Sequence, residues 1–172
     1  NTWNKANHFI IGGDKDFYGP GTRFLNLNKP EEGIVDCTGF GSLWLDDKGK
    51  VRGTGRLFKL WQVCSQDDSD GYSANCMSEI KWGEKKAFNA LHECKNDKEA
   101  KVFQHLYPEQ IECEGWRGDK ILIDWVYVFN ECFNLAHLHR WKDDFVDVRE
   151  VLDSMGILKE MEEEDDSTVL PT

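Results

Sequence analysis

Two histidines one residue apart, His137 and His139, are the first candidates for chemistry in this sequence. On a β-strand, residues i and i+2 lie on the same face, so both imidazoles would converge as two metal ligands do. A metal site needs a third ligand, and the nearest donors, Glu131 and Cys132, would require a favourable turn to supply it. Two half-exposed histidines explain the pattern equally well, so we assign no metal ligand here.

Two further motifs bring polar residues together without selecting a reaction. Arg117-Gly118-Asp119 spells an adhesion tripeptide, but a glycine-centred turn before a strand needs no partner. The stretch 12–21, GGDKDFYGPG, is rich in glycine but lacks the following helix of a phosphate-binding loop. No serine stands in a nucleophile elbow. The sequence therefore selects no catalytic residue and names no cofactor.

Composition and charge limit the class of partner. The 172 residues carry a formal net charge of −11, so nucleic acid, which demands clustered Lys and Arg, is not an expected partner. No apolar run approaches the roughly 20 residues that span a bilayer, so we expect no transmembrane segment. We expect one soluble domain over residues 1–158, followed by a flexible acidic tail over 159–172.

Six cysteines are spread widely along the chain, and no two of them form a C-x-x-C pair. They occupy positions 37, 64, 76, 94, 113 and 132. An even number at wide spacing predicts up to three disulfides of open connectivity. Disulfides are typical of secreted proteins and of organelle lumens, which are oxidising compartments. Six reduced, mostly buried thiols are the alternative interpretation.

The stretch 33–61 predicts the best hairpin of the chain. In its first arm, alternate residues from Val35 through Leu43 to Leu45 fall on one face. Asp46-Asp47-Lys48-Gly49 supplies the turn, and the return arm runs from Val51 to Leu57. The glycines in both arms need either sharp coiling or a close backbone approach, as in a small barrel.

The stretch 120–158 predicts two strands and a helix. Large β-branched and aromatic residues on both faces of 121–129 indicate a buried strand, and 134–141 is expected to be its neighbour. Asp143 or Asp144 then caps a helix over about 143–155, which Gly156 ends. The apolar stripe of this helix is formed by Phe145, Val148, Leu152 and Met155.

This order of elements resembles the C-terminal end of the lipocalins. In that family an Asp-aromatic pair opens one strand, an arginine follows the next, and a single helix packs outside the barrel. Asp124-Trp125 and Arg140 are the matching positions here. The stretch 35–60 is also similar to the early strands of the lipocalin domain of violaxanthin de-epoxidases. The resemblance implies a small antiparallel β-barrel with one C-terminal α-helix. Arg140 is then expected at the closed end, either stacked on an aromatic ring, for which Trp3 is available, or bonded to main-chain carbonyls.

A barrel of this kind can enclose one apolar ligand. The resemblance therefore implies a protein that binds a small hydrophobic molecule such as a lipid, a pigment or an isoprenoid. The inward residues expected to line its cavity are Val35, Leu43, Ile121, Ile123, Trp125 and Tyr127. An α+β fold or a β-sandwich is the alternative fold. The alternative functions are an accessory subunit docked on a larger protein assembly and an enzyme acting on a lipid or carotenoid.

Overall fold

The structure contains small separate sheets packed against helices, and not the barrel that the sequence predicts. The computed structural model describes residues 9–19, 21–65, 83–137 and 145–157. Of these residues 45% are helical and 23% lie in strands, and the architecture is mixed α/β without a closed barrel among them. The described sheets have only two or three strands each, too few to close on themselves. The prediction of a lipocalin-like barrel is therefore wrong.

The N-terminal sheet contains three short strands. Strand β1 (Phe9–Gly12) runs parallel to β2 (Arg23–Asn26), and β2 pairs antiparallel with β3 (Ile34–Asp36). The 3₁₀ turns Lys15–Tyr18 and Pro30–Glu32 lie in the connections on either side of β2. This sheet forms one wall of the cleft described below.

A hairpin followed directly by a helix forms the next part of the chain, called here the first unit. Strands β4 (Ser42–Leu45) and β5 (Val51–Thr54) pair antiparallel, and α1 (Gly55–Ser65) begins at the residue after β5. The predicted turn is confirmed, because Gly49 N–H donates to Asp46 O at 2.8 Å and Gly49 has a φ of 71°. The predicted return arm is too long, since its later residues are helical.

The glycines around the first hairpin allow the chain before β4 to lie close to the start of α1. A close backbone approach was one of the two explanations predicted for these glycines. The first N–H groups of α1, from Arg56 and Leu57, donate to Gly39 O at 3.2 Å and Phe40 O at 2.8 Å. A Cβ at Gly41 would lie 1.7 Å from the oxygen of Thr54. Main-chain oxygens therefore accept N–H groups of the first turn of α1.

Helix α1 forms because its apolar residues recur at helical spacing and are buried together. Leu57, Leu60, Trp61 and Cys64 are all less than a tenth exposed, and they follow the i, i+3, i+4, i+7 pattern of one helix face. The other face of α1 is also covered. The helix is thus the centre of the core, with α2 (Glu84–Leu91) packed along it.

The second unit repeats the arrangement of hairpin and helix. Strands β6 (Gln110–Glu114) and β7 (Lys120–Asp124) pair antiparallel, and α4 (Trp125–Leu135) follows β7 directly. Helix α3 (Asp97–Ala100), continued by a 3₁₀ turn over Lys101–Leu106, leads into this unit.

The long strand predicted over 121–129 is half right. Its first residues form β7, but Trp125 and Tyr127 belong to α4. The carboxylate of Asp124 accepts the Val126 N–H at 2.6 Å and so caps the helix. Burial of one helix face then overrides the β-propensity of these aromatic and branched residues. The buried residues of this face are Trp125, Val128, Phe129 and Cys132.

The C-terminal helix is confirmed, but its start is corrected. Helix α5 (Val148–Met155) is capped by Asp147, whose carboxylate accepts the Arg149 N–H at 2.9 Å, and it ends at Gly156 with a φ of 83°. Phe145 precedes the helix and is 69% exposed, so it is not part of the buried stripe. The remaining predicted stripe residues, Val148, Leu152 and Met155, are buried.

Aromatic side chains hold the second unit to the chain before it. Phe103 stacks on Phe129 with ring centroids 4.7 Å apart, and the edge of Tyr107 meets Phe129 at 6.0 Å. Trp125 lies 5.7 Å from Tyr107. No helix in the described ranges is long and apolar enough to cross a membrane.

Candidate functional site: a cleft between the N-terminal sheet and the first unit

A cleft of about 740 Å³ opens between the N-terminal sheet and the hairpin of the first unit. This volume falls within the roughly 300–1,000 Å³ range of small-molecule sites. Its lining comes from β2, β3, β4, β5, α1 and the turns around them. Elements distant in sequence therefore build it together.

One wall of the cleft is a chain of polar side chains. Tyr18, at the end of its 3₁₀ turn, donates its phenol O–H to Glu32 Oε2 at 2.7 Å. Asn26 Nδ2 donates to the Tyr18 oxygen at 3.0 Å. Lys29 Nζ lies 2.6 Å from Glu32 Oε1. Each of these groups is held by its neighbour, so this wall has a fixed pattern of polar atoms.

The protonation states along this wall follow from its geometry. Burial and the bond to Glu32 raise the pKa of Tyr18 to about 12. The bonds from Lys29 and Tyr18 lower the pKa of the Glu32 carboxyl. At neutral pH the phenol is therefore protonated and the carboxylate charged, and neither group is poised to exchange a proton.

The facing wall is the outer side of the first hairpin. Trp44 and Arg52 lie opposite each other across β4 and β5, and the Trp44 side chain is 46% exposed. Arg52 is bound to Asp46, with both its Nε and an NH2 nitrogen 2.9 Å from Oδ2. Asp46 Oδ1 also accepts the N–H of Lys50 at 2.9 Å. The turn thus fixes a cation beside a part-exposed indole.

Aromatic residues of α1 form the floor. Phe58 and Trp61 stack with centroids 5.5 Å apart and ring planes 16° apart, and both line the cleft. Trp61 Nε1 donates to the main-chain oxygen of Glu84 at 3.2 Å, so its polar edge is satisfied. The cleft therefore presents an apolar floor between a polar wall and a cationic one.

The N-terminal turn is fastened to α1 beneath the cleft. Gln62 Nε2 donates to Asp16 Oδ1 at 2.6 Å, and the Asp14 carboxylate accepts the Asp16 N–H at 3.0 Å to start the 3₁₀ turn. Tyr18 then packs edge-on against the buried Phe24 ring at 4.9 Å. These contacts position the phenol at the cleft.

The lining of the cleft is more basic than the chain as a whole. Four cationic and three acidic side chains line it, although the chain carries a net charge of −11. The cations are Lys15, Lys29, Lys50 and Arg52, and the carboxylates are Glu32, Asp46 and Glu84. A local excess of positive charge on an acidic protein favours an anionic ligand group.

Comparisons with protein families, curated proteins and solved structures find no match to this chain.

Of the six residues predicted to line a cavity, Val35 alone lies on the cleft. Leu43 is buried beneath the hairpin, and Trp125 is buried against Tyr107, both less than a tenth exposed. Tyr127 is 55% exposed on α4. The two isoleucines of β7 are 40% exposed at position 121 and half-buried at position 123. The structure does not bring these six together, because the barrel that would have aligned them is not formed.

The predicted motif residues also have other roles or positions. Asp124 caps α4 and does not open a long strand. Arg140, Trp3 and His139 lie outside the described residues. His137 stacks on Phe133 with centroids 6.4 Å apart. Among the described residues, no group of three His, Cys, Asp or Glu side chains could hold a metal ion.

None of the described cysteines forms a disulfide. Cys37, Cys64 and Cys132 are buried, while Cys94 and Cys113 are half-buried; position 76 lies outside the described ranges. Burial raises the pKa of the Cys37 thiol to about 11 and that of Cys64 further. Location in an oxidising compartment remains a prediction.

A buried lysine links the two units below the cleft. Lys59 of α1 is 5% exposed, and its Nζ donates to the main-chain oxygen of Ala136 at the end of α4. The ammonium lies 5.5 Å from the centroid of the Phe133 ring. Burial lowers the pKa of Lys59 to about 7, although nearby Asp16 opposes this shift. A carbonyl at a helix C-terminus is a favourable place for such a cation.

Sequence reasoning missed the principal residues of the cleft. Tyr18, Asn26 and Glu32 lie in a turn-rich segment whose three-dimensional neighbours no local pattern reveals. Trp44 and Arg52 carried a usable signal, because a turn centred on residues 46–50 places them opposite each other. The alternating pattern that predicts the hairpin reports its apolar face, and Trp44 and Arg52 lie on the opposite face.

Proposed function

We propose that this protein binds a small, largely apolar molecule carrying one anionic group, and that the cleft is its binding site. The observation that carries the proposal is a cleft lined by the part-exposed Trp44 indole, by two stacked aromatic rings of α1 and by cationic side chains of the same hairpin as Trp44. An apolar ligand that covers the exposed part of the Trp44 indole removes that surface from water, which is favourable.

The cationic side chains at the rim of the cleft support an anionic group on the ligand. Arg52 and Lys29 are already paired with Asp46 and Glu32. Lys50 adds a further positive charge to the lining. A carboxylate at the rim would then form a charge-assisted contact, which is stronger than a neutral hydrogen bond.

The polar wall supports binding in preference to catalysis. The phenol of Tyr18 donates a hydrogen bond to the carboxylate of Glu32. The pKa of the phenol lies well above neutral pH, and that of the carboxyl lies well below it. General acid–base catalysis favours groups whose pKa lies near the working pH. A fixed array of donors and acceptors instead selects the shape and polarity of a ligand.

Isothermal titration calorimetry with two matched amphiphiles tests the proposal. Dodecanoate and dodecan-1-ol share one apolar chain and differ in charge. We expect saturable binding of dodecanoate, tighter than that of the alcohol. Lys50→Gln should remove this preference while leaving the affinity for the alcohol unchanged.

A second pair of variants tests the location. Trp44→Ala should weaken dodecanoate binding by about tenfold, which corresponds to about 1.4 kcal/mol. Trp116→Ala is the matched control, because Trp116 lies at the turn of the second hairpin and is 89% exposed. Absence of saturable binding, or equal weakening by both tryptophan variants, would refute a ligand site in the cleft.

A further inference from the structure

We propose that β7 pairs edge to edge with β7 of a second copy of this chain, forming a twofold-symmetric dimer with a continuous four-stranded sheet. The strand reads Lys120-Ile121-Leu122-Ile123-Asp124, a sequence that complements itself when it is reversed. Within the described ranges β7 pairs with β6 alone, and no strand lies against its other edge.

The bonding pattern of the second hairpin decides which groups of β7 point to this open edge. Gly115 N–H donates to Asp119 O at 2.7 Å, and Trp125 N–H donates to Glu109 O at 3.4 Å. Bonded and non-bonded pairs alternate along an antiparallel ladder. The odd-numbered residues of β7 therefore bond to β6, and the N–H and C=O groups of its even-numbered residues point away.

An antiparallel pairing centred on Leu122 uses these outward groups. The Leu122 N–H donates to the Leu122 oxygen of the second copy, and the Asp124 N–H donates to the Lys120 oxygen of the second copy. Symmetry doubles both bonds, because each copy supplies the same edge. The oxygen of Asp124 stays with α4, where the cap residue accepts the first helical bond.

The side chains agree with the same register. Lys120 faces Asp124 of the second copy at both ends, so opposite charges meet. Leu122, which is 64% exposed in the single chain, packs on its own symmetry mate. On the other face Ile121, 40% exposed, packs on Ile123. A shift by two residues would set the lysine against leucine and lose both charge pairs.

The remaining edges of the two hairpins fit self-pairing less well. The outward residues of β6 include Glu112 and Glu114, so pairing with itself would bring Glu112 against Glu112. In the first unit the corresponding outward position of β5 is Gly53. Glycine has no side chain to pack on a symmetry mate, and the face at this position is closed, because a Cβ there would lie 2.6 Å from Leu43 and 2.7 Å from Phe58.

The partner also removes an unfavourable feature of the single chain. An isolated two-stranded hairpin is marginal in water, and an unpaired edge is a template for another strand. Four strands with an apolar face are a more stable sheet. A second copy is therefore the occupant that the charges, the bonding pattern and the exposed leucine fit together.

Light scattering coupled to size-exclusion chromatography, in a reducing buffer, tests the dimer. We expect the wild-type chain to elute with the mass of two chains. Leu122→Pro should elute with the mass of one chain and keep its circular dichroism spectrum, because the lost N–H points away from β6 and proline is tolerated there. A monomeric wild-type chain, or a Leu122→Pro variant that remains dimeric, would overturn the proposal.

Charge variants test the register without proline. Lys120→Glu should raise the dimer dissociation constant by about tenfold, since two attractive pairs become repulsive. Adding Asp124→Asn, which keeps a helix cap, should restore part of the affinity. Glu112→Gln is the control, because it removes an ion pair that Lys120 forms within the chain and should leave the dimer intact. Equal weakening by Glu112→Gln and Lys120→Glu would contradict the register.

Discussion

In the first unit α1 starts at a glycine, and in the second unit α4 starts behind an aspartate. Gly55 has a φ of 69°, and the main chain at Gly39 and Phe40 accepts the first N–H groups of α1. In the second unit the Asp124 side chain accepts from Val126, and only Trp125 bonds back to the residue before β6. The same order of hairpin and helix is thus obtained in two ways. The start of α1 is stabilised by a close approach of main chain at glycines, and the start of α4 by a side-chain cap.

The surroundings of the two hairpins differ as well. The N-terminal sheet faces the first hairpin and leaves a cleft, while the second hairpin exposes Trp116 and Leu122. Our two proposals accordingly assign a ligand site to one copy of this supersecondary unit and a protein-binding edge to the other. What covers the hairpin, and not the hairpin itself, decides its role.

The largest expected difference between the two hairpins is the loss of unfolding free energy when a glycine is replaced by alanine. Gly41→Ala should cost about 3–5 kcal/mol, because its φ of 82° is unfavourable for alanine and the new Cβ would meet the Thr54 oxygen at 1.7 Å. Gly118→Ala, in the second hairpin, has a similar φ of 77° but no contact closer than 3.6 Å. Its cost should be about 1–2 kcal/mol.

Urea denaturation of both glycine variants measures these costs. Equal losses of unfolding free energy would mean that the backbone approach in the first unit does not distinguish it from the second.

The buried lysine between the units predicts a dependence of stability on pH. The pKa of Lys59 in the folded chain, about 7, lies below its unfolded value of 10.5. The unfolded chain therefore binds more protons above pH 7, and the unfolding free energy should rise by about 2 kcal/mol from pH 7 to 8.5. Below pH 7 both states are protonated and the contribution is lost.

Denaturation of Lys59→Met over this pH interval provides the check. The variant should lack the rise, since methionine keeps an unbranched side chain only one atom shorter and does not titrate. The burial of thiols acts in the opposite direction, but it acts equally on both proteins, so the difference between their two slopes measures the contribution of Lys59. An unchanged slope in the variant would show that another group causes the rise.

The smallest expected effect concerns the cap of the second unit. Asp124→Ala should lower the unfolding free energy by about 1 kcal/mol, the usual loss on removing a cap. In the Leu122→Pro background, where no second copy pairs with Asp124, Asp124→Asn should change it by only a few tenths of a kcal/mol, because asparagine caps equally well. A similar loss in both variants would show that charge, and not the bond to Val126, is what stabilises α4.

Local signals in the sequence predicted the features that depend on local chemistry. The turn after β4 needs Gly49 at positive φ, and the end of α5 needs Gly156, so both could be located from residue type. The C-terminal stripe of Leu152 and Met155 is likewise a pattern within one helix. These predictions hold because tertiary contacts reinforce the local preference.

The two long helices were missed because each follows a strand without an intervening turn. Thr54 and Gly55 read as a continuing arm, and Asp124 and Trp125 as one strand. The helical spacing of the buried residues in α1 was present in the sequence, but it overlapped an alternating pattern. The cleft depends on contacts between segments far apart, which no local period reports.

The most direct test of a ligand site in the first unit is a nitrogen–proton NMR titration of the labelled protein with dodecanoate. We expect saturable shifts that cluster on the amides around Tyr18, Trp44 and Arg52, while the amides of β6 and β7 stay in place. Shifts concentrated on β6 and β7, or no saturable shift at the first unit, would contradict the assignment of the cleft as the ligand site.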